Sequence, residues 1–224
     1  MKMKLLKKFN IITLFPQLIS EHLQYLPFKK ALEKGSLEVN LINLREFAID
    51  SYGTVDDKPY GGGTGMLLKI EPIDSALQTI ANYPKGSKTI LLSPKGNKLD
   101  QEKVRELSDT KEITLICGRY EGVDARVERL VDESISIGDY ILSGGELGAL
   151  VIMESVVRLI PGVLEKESAV NIESFGLELG DNYEYPQYTR PEEYKGMKVP
   201  EILLSGDHKK IDEWRKENSK KFSQ

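Results

Sequence analysis

Cysteine is all but missing from this chain of 224 residues, and a lone Cys117 excludes both a disulfide framework and a thiolate metal cage. Its setting, the apolar run ITLIC, suits a packed side chain rather than a reactive one. Histidine is nearly as scarce. Two isolated residues and no H-E-x-x-H cannot build a zinc site, and His208 reads as a surface residue at a helix start. Long apolar runs are absent too; none approaches the roughly 20 residues that cross a bilayer, so no membrane association is expected. The N-terminus is basic, but Pro16 and Gln17 break the apolar stretch behind it and no small-residue cleavage pattern follows. The expected location is therefore cytoplasmic. A basic surplus is lacking as well. The net charge is −4, whereas proteins that hold nucleic acid by its phosphates carry excess Lys and Arg, so any such surface must be local. The two basic clusters read as solvated termini: Lys2, Lys4, Lys7 and Lys8, and the last thirty residues with eight Lys/Arg against five Asp/Glu.

What the chain does contain is an alternation of short β-branched runs with amphipathic stretches. Residues 9–15, 37–44, 88–92, 112–117 and 133–137 read as strands by length and composition. Between them, 17–32, 71–82, 99–108 and 122–131 read as helices, with Pro16 and Pro72 suited to first turns, and 145–160 as a long buried helix. That order predicts an α/β fold with a mostly parallel sheet. After Gly162 the pattern collapses: residues 165–184 hold six acidic residues and one lysine without a sustained period. Order resumes near Pro186 with a small helical tail, for which Asp207 is a candidate N-cap and Trp214 a candidate anchor. The expected organisation is an α/β domain over 1–162, a flexible strap over 163–185, and a small helical C-terminal domain over 186–224.

Three glycine-containing loops follow predicted strands: SPKG (93–96), GRYEG (118–122) and SIGDYILSGGELG (136–148). Strand ends are where open α/β sheets bind ligands, and glycine lets backbone groups approach one directly. Neither G-x-G-x-x-G nor G-x-x-x-x-G-K-[ST] is present, and G-x-S-x-G is missing as well. The loops therefore suit an adenosine-like ligand held by backbone, without a dedicated phosphate cradle. A fourth loop, TVDDKPYGGGTGM (54–66), stands apart; its Asp56-Asp57-Lys58 reads equally as a turn with local hydrogen bonds and as a substrate-gripping segment.

TVDDKPYGGGTGM, LLSPKGNKLDQ, ICGRYEGVDARV, SIGDYILSGGELGAL, RLIPGVL and YPQYTRPEEYKGMKVPEILLSGDH follow one another across nearly the whole chain. In order and spacing they resemble the bacterial tRNA (guanine-N1)-methyltransferases of the TrmD family, which belong to the SPOUT class. The resemblance implies a deep trefoil knot in the α/β domain, S-adenosyl-L-methionine as cofactor, tRNA as partner, and a homodimer whose sites are shared between subunits. On the matching motifs it assigns cofactor contacts to Leu92, Ser93 and Pro94, to Gly118, Tyr120 and Glu121, and to Ser136, Ile137, Gly138, Asp139, Tyr140, Ile141, Leu142, Gly144 and Gly145. Asp57, Tyr60, Glu184, Arg190 and Ser205 are implied to meet the substrate. The family also carries an expectation of Mg2+, for which the sequence offers no ligand cluster.

The implied reaction is methylation of ring nitrogen 1 of the guanine immediately 3′ of the anticodon (position 37 of the tRNA). That nitrogen holds a proton at neutral pH, so a carboxylate must remove it, and the charge that moves onto the 6-oxo group calls for a cation. The family motifs place the cation at Arg158 and the base at Glu173, where Glu-Ser-Phe stands in place of the family's Asp-Ser-Phe. Glu178 and Asp181 read as solvated charges. Two rivals stand beside this reading: a nucleotide- or NAD-binding α/β enzyme of another class, and a knotted RNA-binding homodimer with impaired catalysis.

Overall fold

The computed structural model describes residues 6–165, 169–179 and 182–219. The chain forms two compact units, Met1–Leu164 and Glu165–Gln224. Lys2, Lys4 and Asp181 lie outside the described residues.

In the first unit the β-branched runs become strands of one sheet: β1 (Lys7–Thr13), β2 (Leu37–Asn43), β5 (Lys88–Lys98), β6 (Glu112–Cys117) and β7 (Glu133–Ser136). Their order is β2-β1-β6-β5-β7 and every pairing is parallel. A separate two-strand ribbon joins β3 (Asp56–Asp57) to β4 (Leu67–Leu68). Parallel sheets are covered on both faces, and the period-2 alternation of each strand divides its apolar residues between two cores. Phe9, Ile11, Ile90, Ile113, Leu115 and Cys117 face one core, together with the helices α1 (Pro16–His22), α2 (Phe28–Glu33), α4 (Gln101–Asp109) and α5 (Glu146–Arg158). Ile12, Leu91 and Ile116 face the other, with α3 (Ile70–Gln78) and the 3₁₀ turns at Leu44–Phe47 and Ala125–Arg129. Cys117 is buried, and burial pushes its thiol well above the usual range, so it stays an unreactive packed side chain.

Three sequence expectations are corrected here. The single helix expected over 17–32 is two helices, one ending at His22 and the next starting at Phe28 behind Pro27, which has no N–H to donate into a continuous helix. The stretch 122–131 makes only a 3₁₀ turn, in which Asp124 caps the Arg126 N–H at 2.9 Å and Val127 alone is buried. Lys7 is not a solvated terminal charge. It is 1% exposed, and its ammonium donates to the carbonyls of Leu107 (2.8 Å), Ser108 (2.7 Å) and Thr110, which close the C-terminal end of α4.

The second unit contains α6 (Ala169–Ile172), a β8–β9 hairpin (Glu193–Tyr194 with Met197–Lys198), α7 (Glu201–Leu204) and α8 (His208–Asn218). Asp207 caps α8 by accepting from the Lys210 N–H at 3.3 Å, and His208 starts that helix exposed. Trp214 packs edge-on against Tyr185, with ring centroids 6.3 Å apart, and near Tyr188 at 6.5 Å. The acidic stretch carries local order in its described residues. Phe175 and Tyr183 stack edge to face at 5.4 Å, Ser174 Oγ accepts from the Glu184 N–H at 2.9 Å, and Gly176 N–H donates to Glu173 O at 2.7 Å.

Burial pulls the Lys7 ammonium down to about 8, with the nearby Asp109 charge opposing it. Because this lies below the ordinary 10.5, the unfolded chain binds the extra proton between those two pH values. The contribution of Lys7 to stability therefore rises as pH climbs through that window. Urea denaturation of Lys7→Met against the parent chain should show the variant less stable at pH 7.5 and its deficit wider at pH 10.

Candidate functional site

An open cleft of about 340 Å³ lies at the carboxyl ends of β5, β6 and β7. All three glycine loops line it. Leu92, Ser93 and Pro94 enter from β5, whose register explains how: both Leu92 and Asn97 pair with Ile135, so the intervening SPKG leaves the ladder as a bulge instead of ending the strand. Gly118 to Gly122 follow β6, Ser136 ends β7, and Ile137, Gly138 and Tyr140 to Gly145 follow it. The second and third loops touch through backbone, Gly145 N–H donating to Gly118 O at 2.9 Å, with a bridge between Arg119 and Gly144. A Cβ on Gly145 would stand 2.8 Å from Cys117 Cα, so the approach requires glycine. The third loop is set by its own bonds: Ser136 Oγ accepts from Gly138 N–H at 3.2 Å and Tyr140 Oη donates to Ile137 O at 3.2 Å.

Behind the cleft a carboxylate is buried. Glu146, in the first turn of α5, is 1% exposed; Thr13 at the end of β1 donates to one of its oxygens at 2.7 Å, and Arg119 Nε to the other at 3.1 Å. The Arg119 guanidinium also lies 4.4 Å from the centroid of the Phe15 ring. A charge so withdrawn from water is tolerable only when paired and hydrogen-bonded.

The fourth glycine loop docks on the second. Leu68 N–H donates to Gly122 O at 3.0 Å and Glu121 N–H to Met66 O at 3.1 Å, and a Cβ on Gly65 would collide with the Glu121 side chain. Asp57 on that loop pairs with Lys69 at 3.3 Å, and the Lys58 N–H, then Lys69, hold its carboxyl below the usual range. Asp57 and the fully exposed Tyr60 do not line the cleft.

Of the residues implied by resemblance to meet the cofactor, all but Asp139 line this cleft; Asp139 pairs instead with Lys98. Sequence reading passed over Arg119, Gly122, Ile135, Ser143 and Gly148, which line it too. The signal available for Arg119 was its place inside GRYEG, a loop already singled out. Arg158 is the last residue of α5 and half-buried. In the second unit Glu173 follows α6 and is half-buried, Glu184 accepts from Gln187, and Arg190 and Ser205 are exposed. Among the described residues no three His, Cys, Asp or Glu side chains group to hold a metal ion, and no helix is long and apolar enough to cross a membrane.

An all-parallel sheet with a loop-built cleft at its carboxyl edge defines an α/β protein whose candidate site is lined by backbone and apolar side chains. The family model for the tRNA (Guanine-1)-methyltransferase TrmD matches residues 7–224, and the chain belongs to that family. A tRNA (guanine-N(1)-)-methyltransferase of Carboxydothermus hydrogenoformans is 52% identical over 214 residues, covering 95% of this chain and 82% of the relative. One from a Sulfurihydrogenibium species is 54% identical over 211 residues, covering 93% and 81%. The crystal structure of the tRNA (m1G37) methyltransferase from Aquifex aeolicus superposes with a TM-score of 0.77 at 47% identity, covering 93% of this chain and 87% of that one.

Gly145→Ala should force the two loops apart and cost about 1–3 kcal/mol of stability, as overpacking does. Gly148→Ala, whose Cβ would meet first the Leu92 Cδ1 methyl at 3.0 Å and then Ile137 methyls at 3.8 Å, side-chain ends rather than backbone, should cost less. Thermal melts of the two variants check the order.

Proposed function

We propose that this chain transfers the methyl group of S-adenosyl-L-methionine to ring nitrogen 1 of the guanine immediately 3′ of the anticodon of tRNA. The observation that carries the reading is membership of the TrmD family by a chain whose three matching loops assemble one cleft. The cleft suits the cofactor: its volume lies in the roughly 300–1,000 Å³ range of small-molecule sites, and its lining is mostly backbone and apolar side chains. Where Gly118, Gly144 and Gly145 stand, no side chain keeps a flat ring from the backbone. The cofactor, when bound, supplies an electrophilic methyl on sulfur.

The residues of the chain supply the rest. Leu92, Ile137 and Leu142 offer apolar surface to an adenine ring, and the loop backbone offers donors and acceptors to its edges. Glu173 takes the guanine proton as general base, and Arg158 stabilises the charge that moves onto the 6-oxo group. Asp57, Tyr60, Glu184, Arg190 and Ser205 meet the tRNA. For the Mg2+ that the family resemblance carries, no step is assigned.

The length of α5 supports a shared site. Its first turn lines the cleft, whereas Arg158 closes its far end; thirteen residues rise about 18 Å, so Arg158 stands away from the cleft of its own subunit. In a homodimer the partner's Arg158, with the partner's Glu173, completes the site. Leu147 and Val151, one turn apart and exposed on α5, and Leu18 on the neighbouring α1 supply apolar surface for such pairing. A trefoil knot belongs to the same proposal, and membership of the family is what supports it. The reaction belongs where tRNA is processed, in the cytoplasm.

Incubation of the full chain with bacterial tRNA and S-adenosyl-L-methionine, followed by nucleoside analysis, should yield 1-methylguanosine. Binding of tRNA without that product would favour the impaired RNA-binding homodimer. Glu173→Gln should lower the methylation rate about 10²–10⁴-fold, the usual share of a general base. Arg158→Ala should lower kcat about 10²–10³-fold, as loss of an oxyanion-stabilising donor does, with cofactor affinity unchanged by calorimetry.

A further inference from the structure

Among the side chains that line the cleft, Arg119 and Glu121 alone carry charge. The nucleoside reading accounts for the apolar and glycine-rich lining but gives these two no task. Arg119 is also held in place from two sides. Glu146 and the Phe15 ring fix the Nε edge and one face of its guanidinium, and the contact to Ser143 O is long, at 3.5 Å. An arginine has five N–H donors, so most of its terminal nitrogen edge is left for something else. Arg119 keeps 19% of its side chain exposed, against 2% for Glu146, and it lines the cleft. Gly144 makes room for it, since a Cβ there would collide with Arg119 Nε.

We propose that Arg119 recognises the carboxylate of the cofactor's amino-acid tail, with Glu146, Thr13 and Phe15 as its positioning residues. The inference rests on the cofactor reading above and extends it to a residue that determines specificity. The ligand would bring one carboxylate and one ammonium, and the cleft presents one cation and one anion, Glu121 being the complement to the ammonium. Because the Arg119–Glu146 pair is neutral overall, it adds little long-range attraction. It acts as a preorganised fork of donors, which suits a planar carboxylate.

Calorimetry on the full chain with two probes separates this role from a structural one. S-adenosylhomocysteine carries the amino-acid tail; 5′-methylthioadenosine keeps the nucleoside and lacks the tail. Arg119→Gln should weaken the first by about tenfold or more, the scale of a hydrogen bond to a charged group, and leave the second within about twofold on that same scale. Arg119→Lys should recover part of the loss. The double variant Arg119→Gln/Glu146→Gln removes the buried unpaired carboxylate, and it should show the same selective loss if the single variant folds poorly. Equal losses for both probes, or no loss for S-adenosylhomocysteine, would overturn the proposal. Failure of the parent chain to bind either probe would instead remove the cofactor reading on which it rests.

Discussion

A carboxylate withdrawn from water ties the working end of this molecule together. Glu146 accepts from the last residue of a central strand and from the arginine of the loop after another, while its own backbone opens the longest helix. An ion in that position loses hydration worth several kcal/mol and recovers it only through partners with good geometry; removing one partner of such a pair typically costs about 3–5 kcal/mol. The consequence is structural obligation. Thr13 must present a hydroxyl, Arg119 must stay beside the cleft, and Gly144 must remain without a side chain so that the arginine fits.

Around that anchor the cleft is built mainly from backbone. Gly145 lies against the end of β6 at a separation no Cβ tolerates, and the bulge at 93–96 turns Ser93 and Pro94 out of the ladder. The ribbon of β3 and β4 braces the GRYEG loop from outside through main-chain bonds. Rigidity on this side suits positioning chemistry, in which a methyl group and a ring nitrogen must be brought into line and little else is required. The opposite end of the sheet is closed differently, by a buried lysine on the carbonyls that end α4.

Much of this was legible in the chain itself. Five strands fell where β-branched runs predicted them, since a parallel strand buried on both faces must be apolar along its length. The three loops predicted the cleft because one glycine loop alone reads as a tight turn, whereas three at corresponding strand ends point to a ligand site. What stayed hidden depended on neighbours distant in sequence. Lys7 looked like a solvated terminal charge, and only the packing of α4 beside β1 shows it buried. SPKG looked like a strand-ending turn, but whether a strand resumes after four residues depends on Ile135 offering a second partner. Arg119 looked like part of a turn, and its orientation is set by Glu146, twenty-seven positions on.

By itself, then, the sequence determined the fold class, the number of strands in the main sheet and their places along the chain, the family, and the loops that carry the site, because these follow from local pattern and from motifs contiguous along the chain. Tertiary structure alone decided which charges are buried, which glycines are obligatory, and which side chains face the cleft. Those properties are distances between residues far apart in the chain, and distance comes into being only when the strands are paired and the helices laid across them.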